Sequence, residues 1–321
     1  MVIQFLSIIF IIIIFGVLFL KFCRRTEILP LNDHTRQSLP GDFIHLPSGM
    51  THYEFQGKEN SRVVILIHGF STPFYIWDPT FKGLVDAGYK VLRYDLFGRG
   101  FSDRPNVNYD VHLYRDQLWH LLRNLSIENP VHLIGLSYGG PIAADYAIQF
   151  PELVQSLTLI DPLVSTTAFD GFKVLNIPIL GEILMSLYLT PFALPRSQPG
   201  DFFEPECFPE WVSKFREQLK YKGFSHAILS TIRNLEELNL ESGYRALGKS
   251  KHPVLGIWGE HDQTISRRDM KTLENLIPQM ELLIIKNAGH IPHYEQPGKV
   301  NSILIKYLGK SGGLVKSSFS T

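Results

Sequence analysis

The sequence predicts an α/β fold: a mostly parallel central sheet with helices on both faces and an inserted helical lid, preceded by an N-terminal transmembrane helix. Three observations predict it. Short β-branched runs alternate with helix-length segments over most of the 321 residues, a long interval in the middle has no buried-strand pattern, and the first twenty residues carry no charged side chain. A hydrophobic fraction of 45% and a charged fraction of 19% are those of a globular protein, which excludes a disordered or fibrous one.

The N-terminal segment is long enough to cross a bilayer. Twenty residues in a helix, at about 1.5 Å each, span about 30 Å, the hydrocarbon thickness of a membrane. A cleaved signal peptide would need a basic start and a small-residue cleavage site, and a lipoprotein would need a small residue before Cys23. Neither is present, and a core helix rarely lacks polar positions for so long. We therefore expect residues 1–25 to be an uncleaved single-pass anchor. Lys21, Arg24 and Arg25 on its C-terminal side place the rest of the chain in the cytoplasm.

Six short apolar runs predict strands of a mostly parallel sheet, and the first of them, at 62–68, is typical of a strand buried on both faces. They cover residues 62–68, 90–95, 131–136, 157–161, 254–258 and 282–285, and residues 51–56 add an antiparallel edge strand. Helical patterns fall between them at 81–87, 109–125, 138–150, 268–277 and 299–308. This alternation predicts a core formed by residues 42–162 and 251–309, preceded by a linker at 26–41 and followed by a flexible tail at 310–321.

The strand–helix alternation stops over residues 163–250. This interval contains apolar helical stretches broken by prolines and is too long for an ordinary loop, so it predicts a helical lid. The part between Val174 and Phe192 is apolar around much of its circumference. Such a segment can pack on the core, line a channel for an apolar chain, or touch lipid.

The run Gly135-Leu136-Ser137-Tyr138-Gly139 matches G-x-S-x-G and stands directly between a predicted strand and a predicted helix. In that position it predicts a sharp turn that holds Ser137 in a strained backbone conformation, as a nucleophile. The two glycines keep side chains out of crowded backbone. The turn also puts the N–H of Tyr138 at a helix N-terminus, where partial positive charge favours an oxyanion.

A serine nucleophile needs a base, and the base needs an acid that orients it. His290, in a glycine-containing loop after the last predicted strand, is the candidate base, and Asp262, after the preceding strand, is the candidate acid. Both loops are expected to leave the edge of the sheet at which Ser137 stands. Glu260 and Asp161, the latter at the end of another strand, are alternative acids, and we favour Asp262 over them.

Three other histidines lie close to these motifs in the sequence, and we expect them to be structural or rim residues: His68, His261 and His293. His68 ends the first central strand and is expected to pack beneath the site. Phe70 follows two residues later, and its N–H is the candidate second donor to an oxyanion, beside that of Tyr138.

With these residues in place, the chain resembles the α/β-hydrolase superfamily over residues 42–309. The resemblance is carried by His68-Gly-Phe70, the turn at 95–102, the serine motif, Gly259-Glu-His-Asp262 and Gly289-His290. It implies a catalytic triad of Ser137, Asp262 and His290 with Phe70 and Tyr138 as the oxyanion hole. It also implies that the polar residues at 95–102 are structural and that no metal or organic cofactor is required.

Motif residues of this sequence differ from those typical of several branches of the superfamily. Serine at the nucleophile position argues against haloalkane dehalogenases and epoxide hydrolases, and the turn at 95–102 lacks the Asp-Gln-Arg-Gly of proline iminopeptidases. Ile291 follows the histidine where hydrolases of carbon–carbon bonds usually have tryptophan. The anchor, the His-Gly-Phe-Ser sequence and the lid are together similar to the membrane-anchored monoacylglycerol lipases and carboxylesterases.

This resemblance implies a serine esterase or lipase for apolar or lipid esters, monoacylglycerol-like, with a lid that sets selectivity. Two alternatives stay open: a C–C bond hydrolase of ring-fission (meta-cleavage) products with the same triad, and a non-catalytic membrane-tethered binding module, against which the intact triad argues. Basic and acidic residues balance at 31 each, so no nucleic-acid partner is expected. Two cysteines cannot form a disulfide framework, and nothing in the sequence indicates an oligomeric state.

Overall fold

Eight strands form one mixed sheet in the order β1-β2-β4-β3-β5-β6-β7-β8. The computed structural model describes residues 7, 14–18, 26–235 and 239–311, with backbone only at 168, 170 and 311. The strands are Asp42–Leu46 (β1), Gly49–Gln56 (β2), Val63–Ile67 (β3), Lys90–Tyr94 (β4), Val131–Leu136 (β5), Val154–Ile160 (β6), Val254–Gly259 (β7) and Glu281–Ile285 (β8). The pairs β1–β2 and β2–β4 are antiparallel, and all other neighbouring pairs are parallel.

The six predicted parallel strands and the α/β fold are confirmed, with the last strand, β8, at one edge of the sheet and only partly buried. The prediction for the other edge was wrong. The run at 51–56 forms β2, which lies inside the sheet because β1 pairs with it on the outer side. β1 was not predicted. Four of its five residues are exposed or half-buried, so its apolar pattern is weak.

The strand β3 shows why the sheet needs cover on both faces. Val64, Ile65, Leu66 and Ile67 are all fully buried. Ile65 and Ile67 belong to one apolar cluster, whereas Val64 and Leu66 belong to a second one. Since successive side chains of a strand point to opposite faces, the two clusters are the cores on the two sides of the sheet.

Helices supply both cores. They are Asp33–Arg36 (α1), Asp78–Asp86 (α2), Val111–Asn124 (α3), Gly139–Gln149 (α4), Leu180–Leu184 (α5), Leu194–Ser197 (α6), Trp211–Gln218 (α7), Phe224–Leu235 (α8), Leu240–Gly248 (α9), Arg267–Leu276 (α10), Pro292–Glu295 (α11) and Pro297–Ser311 (α12). Leu118 of α3, Ile142 of α4 and Leu273 of α10 pack on one face of the sheet. Leu84 of α2 and Leu304 of α12 pack on the other.

Between β6 and β7 the described residues form helices and turns but no strand. Besides α5 to α9, this segment contains 3₁₀ turns at Thr166–Asn176 and a π-helical stretch at Met185–Ala193. It has an apolar core of its own, formed by Leu175, Met185, Phe215, Leu219, Phe224, Ile228, Leu229 and Ile232. We call residues 163–250 the lid.

Residues 26–30, which we call the brace, are fastened to the lid. The N–H of Leu29 donates to the carbonyl of Lys220, and Leu29 forms a β-bridge with Tyr221. The carboxylate of Glu27 accepts the N–H groups of Gly223 (2.9 Å) and Ser225 (3.1 Å) at the start of α8. The first part of the predicted linker is therefore packed against the lid.

Most of the predicted anchor, residues 1–25, lies outside the described residues; only Ser7 and residues 14–18 are described, and they are helical. Within the described part of the chain, no helix combines the length and apolar character that a membrane crossing requires. The predicted tail begins inside α12, and residues 312–321 lie outside the described chain.

Candidate active site

Ser137 stands in the tight turn between β5 and α4. Its φ is +51°, in the left-handed region that side chains other than glycine rarely adopt. A Cβ on Gly135 would lie 2.3 Å from the carbonyl oxygen of Gly139, and a Cβ on Gly139 would lie 2.2 Å from that of Ile67. Both glycines are therefore required by close backbone contacts, and the strained turn holds Ser137 at the edge of the sheet.

Two backbone amides lie beside Ser137. Tyr138 follows it at the start of α4, and Gly69 runs so close that a Cβ there would lie 3.1 Å from the Cβ of Ser137. Phe70 is the next residue of that loop. Among the described residues, neither the N–H of Phe70 nor that of Tyr138 has a hydrogen-bond acceptor. Buried amides are nearly always paired, so these two are available to a ligand oxygen.

A buried arginine fixes the Phe70 loop. Arg99 has no exposed surface, and its Nε donates to the carbonyl of Phe70 at 2.8 Å. The same guanidinium donates to the hydroxyls of Tyr114 (2.7 Å) and Thr231 (2.9 Å). Thr231 belongs to α8, so one side chain joins the loop, the core and the lid. The sequence indicated only that this turn is structural.

His290 and Asp262 form a buried pair. Nδ1 of His290 donates to Oδ2 of Asp262 at 3.0 Å, and the Asp262 side chain is completely buried. Oδ1 of Asp262 accepts the N–H groups of Thr264 (2.7 Å) and Ile265 (3.0 Å). Burial alone would lower the pKa of His290, but the carboxylates of Asp262 and Asp201 together outweigh burial, and the pKa is raised. For Asp262, burial raises the pKa, but His290, Asp161 and the N–H of Ile265 together lower it below its ordinary value.

Asp161, the alternative acid, adjoins Asp262. It is fully buried, with a φ of +39°, and its carboxyl oxygens lie 3.0 and 3.2 Å from the N–H of Gly259. Carboxyl oxygens of Asp161 and Asp262 and a ring nitrogen of His290 all lie within 4.8 Å of one another. These are the groups in the described chain close enough to hold a metal ion, but they are engaged with one another and with backbone amides.

The candidate residues follow four neighbouring strands: Ser137 after β5, Asp161 after β6, Asp262 after β7 and His290 after β8. The N–H of Ser137 donates to the carbonyl of Ile160 at 2.9 Å, which ties the serine turn to the end of β6. Ser137 and His290 keep only 9% and 5% of their surface exposed. In the described chain, no hydrogen bond joins the Ser137 hydroxyl to His290.

The competing histidines lie elsewhere. His68 is buried; its Nδ1–H donates to the carbonyl of Gly69, and its Nε2 accepts the N–H of Leu96. His293 is buried against Trp77.

Glu260 and His261, which precede the candidate acid Asp262, make contacts outside the His290–Asp262 pair. The ring of His261 is exposed and stacks on Phe203. The carboxylate of Glu260 lies near the N–H of Asn287 and the His261 ring.

One lid residue reaches His290 and had no sequence signal. The carbonyl of Asp201 accepts the N–H of His290 at 2.8 Å, and its carboxylate accepts the hydroxyl of Thr264 at 3.0 Å. Burial raises the pKa of Asp201. Because Asp201 is far from His290 along the chain and no local motif marks it, only the fold reveals the contact.

The comparisons with known proteins agree with the fold. A family model described as "alpha/beta hydrolase fold" matches residues 62–297. The chain is 29% identical over 289 residues to AB hydrolase superfamily protein YfhM of Bacillus subtilis, covering 83% of this chain and 96% of that protein. It is 27% identical over 252 residues to Lipase 1 of Psychrobacter immobilis, covering 76% and 75%. A thermophilic esterase from Thermogutta terrifontis has the same fold, with a TM-score of 0.70 at 22% identity over 85% of this chain and 99% of that one.

Proposed function

This chain belongs to the α/β-hydrolase fold family, and from that premise we propose that it hydrolyses carboxylic esters with Ser137 as nucleophile. The observation that carries the proposal is the pair of unpaired amides, of Phe70 and Tyr138, beside a strained serine at the sheet edge where His290 and Asp262 also meet. The names of a curated lipase and a structurally similar esterase support the same reaction class.

The mechanism follows from these positions. Oγ of Ser137 attacks the ester carbonyl carbon while His290 takes the hydroxyl proton. The hydrogen bond from the Ser137 hydroxyl to Nε2 of His290 forms when substrate is bound. The amides of Phe70 and Tyr138 donate to the oxyanion, a contribution of about 3 kcal/mol each. His290 then protonates the leaving alcohol. Water attacks the acyl-enzyme with His290 again as base, and Asp262 stabilises the imidazolium in both steps.

We further propose that the substrate is an apolar or lipid ester, monoacylglycerol-like. The ring of Phe70 packs against the lid core and makes an edge contact with Phe169, with ring centroids 5.3 Å apart. An acyl chain placed with its carbonyl at the amide of Phe70 would therefore meet aromatic and aliphatic side chains of the lid. Ester substrates with short polar acyl groups gain little from such a surface.

The proposed setting is a membrane, with residues 1–25 as the anchor and the catalytic domain in the cytoplasm. A groove of about 1120 Å³ lies between the N-terminal segment, the brace and the lid. Its apolar lining includes Val17, Leu18, Ile28, Ile179, Ile183 and Leu229. Ile179 keeps 74% of its surface exposed and Ile28 keeps 56%, and such exposure is typical of surfaces that meet lipid or a partner.

Replacing the serine tests the reaction class. Ser137→Ala should remove turnover of p-nitrophenyl esters by a factor of at least about 10⁴. It should also remove labelling by a fluorophosphonate probe, with the melting temperature kept. Ser302→Ala, on the exposed face of α12, is the matched control and should turn over and label normally. Ester turnover that survives in purified Ser137→Ala would refute the nucleophile.

In the same assay series, longer acyl chains should give the higher kcat/KM, and a preference for acetate would refute the lipid-like substrate.

Labelling of Cys207, an exposed free thiol, tests the orientation. In cells that express the full chain, a membrane-impermeant maleimide should label it only after permeabilisation. Cys207→Ser controls for labelling of Cys23. Labelling in intact cells would place the domain on the other side, and recovery of the full chain in the fraction without membranes would refute the anchor.

A further inference from the structure

Asp161 is a buried carboxyl group that the proposed chemistry leaves without a role. It ends β6 at the catalytic edge of the sheet, has no exposed surface, and holds a φ of +39°. Aspartate and asparagine tolerate this left-handed conformation better than most residues, because their short polar side chains bond locally. Strained backbone clusters at functional sites, so the conformation of Asp161 beside the His290–Asp262 pair points to a function.

The partners of Asp161 leave it only one arrangement. Its oxygens accept the N–H of Gly259 at 3.0 and 3.2 Å, and one of its carboxyl oxygens lies within 4.8 Å of a carboxyl oxygen of Asp262. Two buried carboxylates this close repel each other, and neither can donate a hydrogen bond while both are ionised. One of the two carboxyl groups therefore holds a proton, which it can donate to the other.

The surroundings decide which of the two is neutral. Asp262 accepts three N–H groups, from Thr264, Ile265 and the His290 ring, and all three stabilise a carboxylate. Asp161 accepts one amide. Burial raises the pKa of Asp161 well above its ordinary value, and the adjoining Asp262 raises it further.

Two further carboxyl groups lie near the Asp161–Asp262–His290 cluster. Glu295 of α11 adds negative charge, which also favours the protonated form of Asp161. Asp201 of the lid faces His290 and contributes to the raised pKa of that ring.

We propose that Asp161 stays protonated in the active enzyme and donates a hydrogen bond to Asp262, as a positioning residue that fixes the carboxylate opposite Nδ1 of His290. This inference rests on the proposed function, because Asp161 acts on the reaction only through Asp262 and His290. Its proton stays on Asp161 throughout turnover. By stabilising the Asp262 carboxylate, this hydrogen bond also restrains how strongly Asp262 draws on the imidazole proton.

Asp161→Asn separates a neutral group from a charged one. The Asn oxygen can accept from Gly259 and its NH₂ can donate to Asp262, so asparagine reproduces a protonated aspartate. We expect kcat/KM within about threefold of the parent chain and an acid limb of the pH profile that moves by less than about 0.3 units. If Asp161 were ionised, asparagine would remove a negative charge near His290, and the acid limb would move down by about one unit. That result would overturn the proposal.

Asp161→Ala tests whether the hydrogen bond matters. Without the donor, Asp262 becomes more basic and holds the His290 proton more strongly. The acid limb should therefore move to higher pH, and kcat/KM should fall about tenfold. Unchanged kinetics in folded Asp161→Ala would overturn the proposal. Asp145→Asn, whose carboxylate in α4 pairs with Arg115, is the matched control and should leave the profile unmoved.

A titration of His290 by NMR keeps this inference distinct from the proposed function. The pKa of His290 should be the same in the parent chain and in Asp161→Asn, and higher in Asp161→Ala, whether or not esters are the substrate. If Ser137→Ala retained turnover while these titrations came out as expected, the proposed function would fail and the carboxyl pair would stand. If Asp161→Asn lowered the pKa of His290, the carboxyl pair would fail and the esterase proposal would stand.

Discussion

A methyl group at position 139 would lie 2.2 Å from the carbonyl oxygen of Ile67, which is backbone and cannot move aside cheaply. We expect Gly139→Ala to lower the free energy of unfolding by about 2 kcal/mol. It should also lower ester turnover by at least about tenfold, because a displaced α4 carries Ser137 and the Tyr138 amide with it. Urea unfolding and p-nitrophenyl ester kinetics measure the two effects.

The control for this substitution is Gly243→Ala in α9, where a Cβ would meet nothing within 4 Å. Alanine there should leave turnover unchanged and stabilise the chain by up to about 1 kcal/mol, because it favours the helix. Equal effects of the two substitutions would contradict the crowding argument.

The acid limb of the pH profile belongs to His290. The base must be neutral to take the serine proton, and its pKa is raised because the carboxylates of Asp262 and Asp201 together outweigh burial. We therefore expect kcat/KM to fall to half its plateau at a pH above the ordinary histidine value of about 6.5. Asp262→Asn should move this limb to lower pH and reduce kcat by about 10⁴-fold. A limb below pH 6 in the parent chain would contradict the pairing.

At the scale of elements, the brace supports α8 through one carboxylate. Glu27 accepts two amide N–H groups at the start of that helix, where unpaired donors and the helix dipole favour a negative charge. We expect Glu27→Ala to cost about 1 kcal/mol of stability and to make the lid more sensitive to limited proteolysis. Glu59→Ala, which removes an exposed carboxylate paired with Lys90, should do neither. Equal proteolysis of the two variants would show that the brace does not support the lid.

Elements with a strong local pattern could be predicted from the sequence, and elements defined by distant contacts could not. β3, β5 and β7 are continuous apolar runs bounded by turns, so their positions were predicted to within a residue or so. β1 is half-exposed and becomes a strand because β2 pairs with it. The brace has no periodicity at all. Its order comes from the lid, which lies almost two hundred residues away along the chain.

For the whole molecule, buried histidines predict acid sensitivity. Burial lowers the pKa of His68 and His132 to about 4 and that of His293 to about 3. Unfolded histidines titrate near pH 6.5, so between pH 6.5 and about 4 the unfolded chain binds more protons, and stability falls as the pH falls. The shift is worth roughly 3 kcal/mol for each of the first two rings. The raised pKa of Asp161 acts in the opposite direction.

Urea midpoints at pH 7 and pH 5 measure this effect, and we expect the lower midpoint at pH 5. His132→Gln should reduce the difference, because Nε2 of His132 is buried with no hydrogen-bond partner among the described residues. A midpoint independent of pH over this range would contradict the assignment of neutral buried rings.

The candidate site shows the same contrast between residues marked by local motifs and residues set by distant contacts. Ser137, Asp262 and His290 could be selected from the sequence because each follows a recognisable strand in a glycine-containing motif, and a parallel sheet brings such motifs to one edge. Asp262 was favoured over Asp161 from the sequence, although both follow neighbouring strands, and the hydrogen bond from His290 to Asp262 agrees with that choice. The role of Arg99 could not be predicted, because it comes from hydrogen bonds to three separate parts of the chain that no local motif marks.

The contact between Asp201 and His290 limits how freely the lid can be exchanged for that of a relative. A lid inserted between two strands looks like an interchangeable module, since β6 and β7 stay paired whatever connects them. Here, however, the carbonyl of Asp201 holds the backbone of the catalytic histidine. A chimera that swaps the entire insertion would lose a support of its own base. Grafts intended to alter acyl selectivity should therefore retain the short stretch around Asp201 and splice on either side of it.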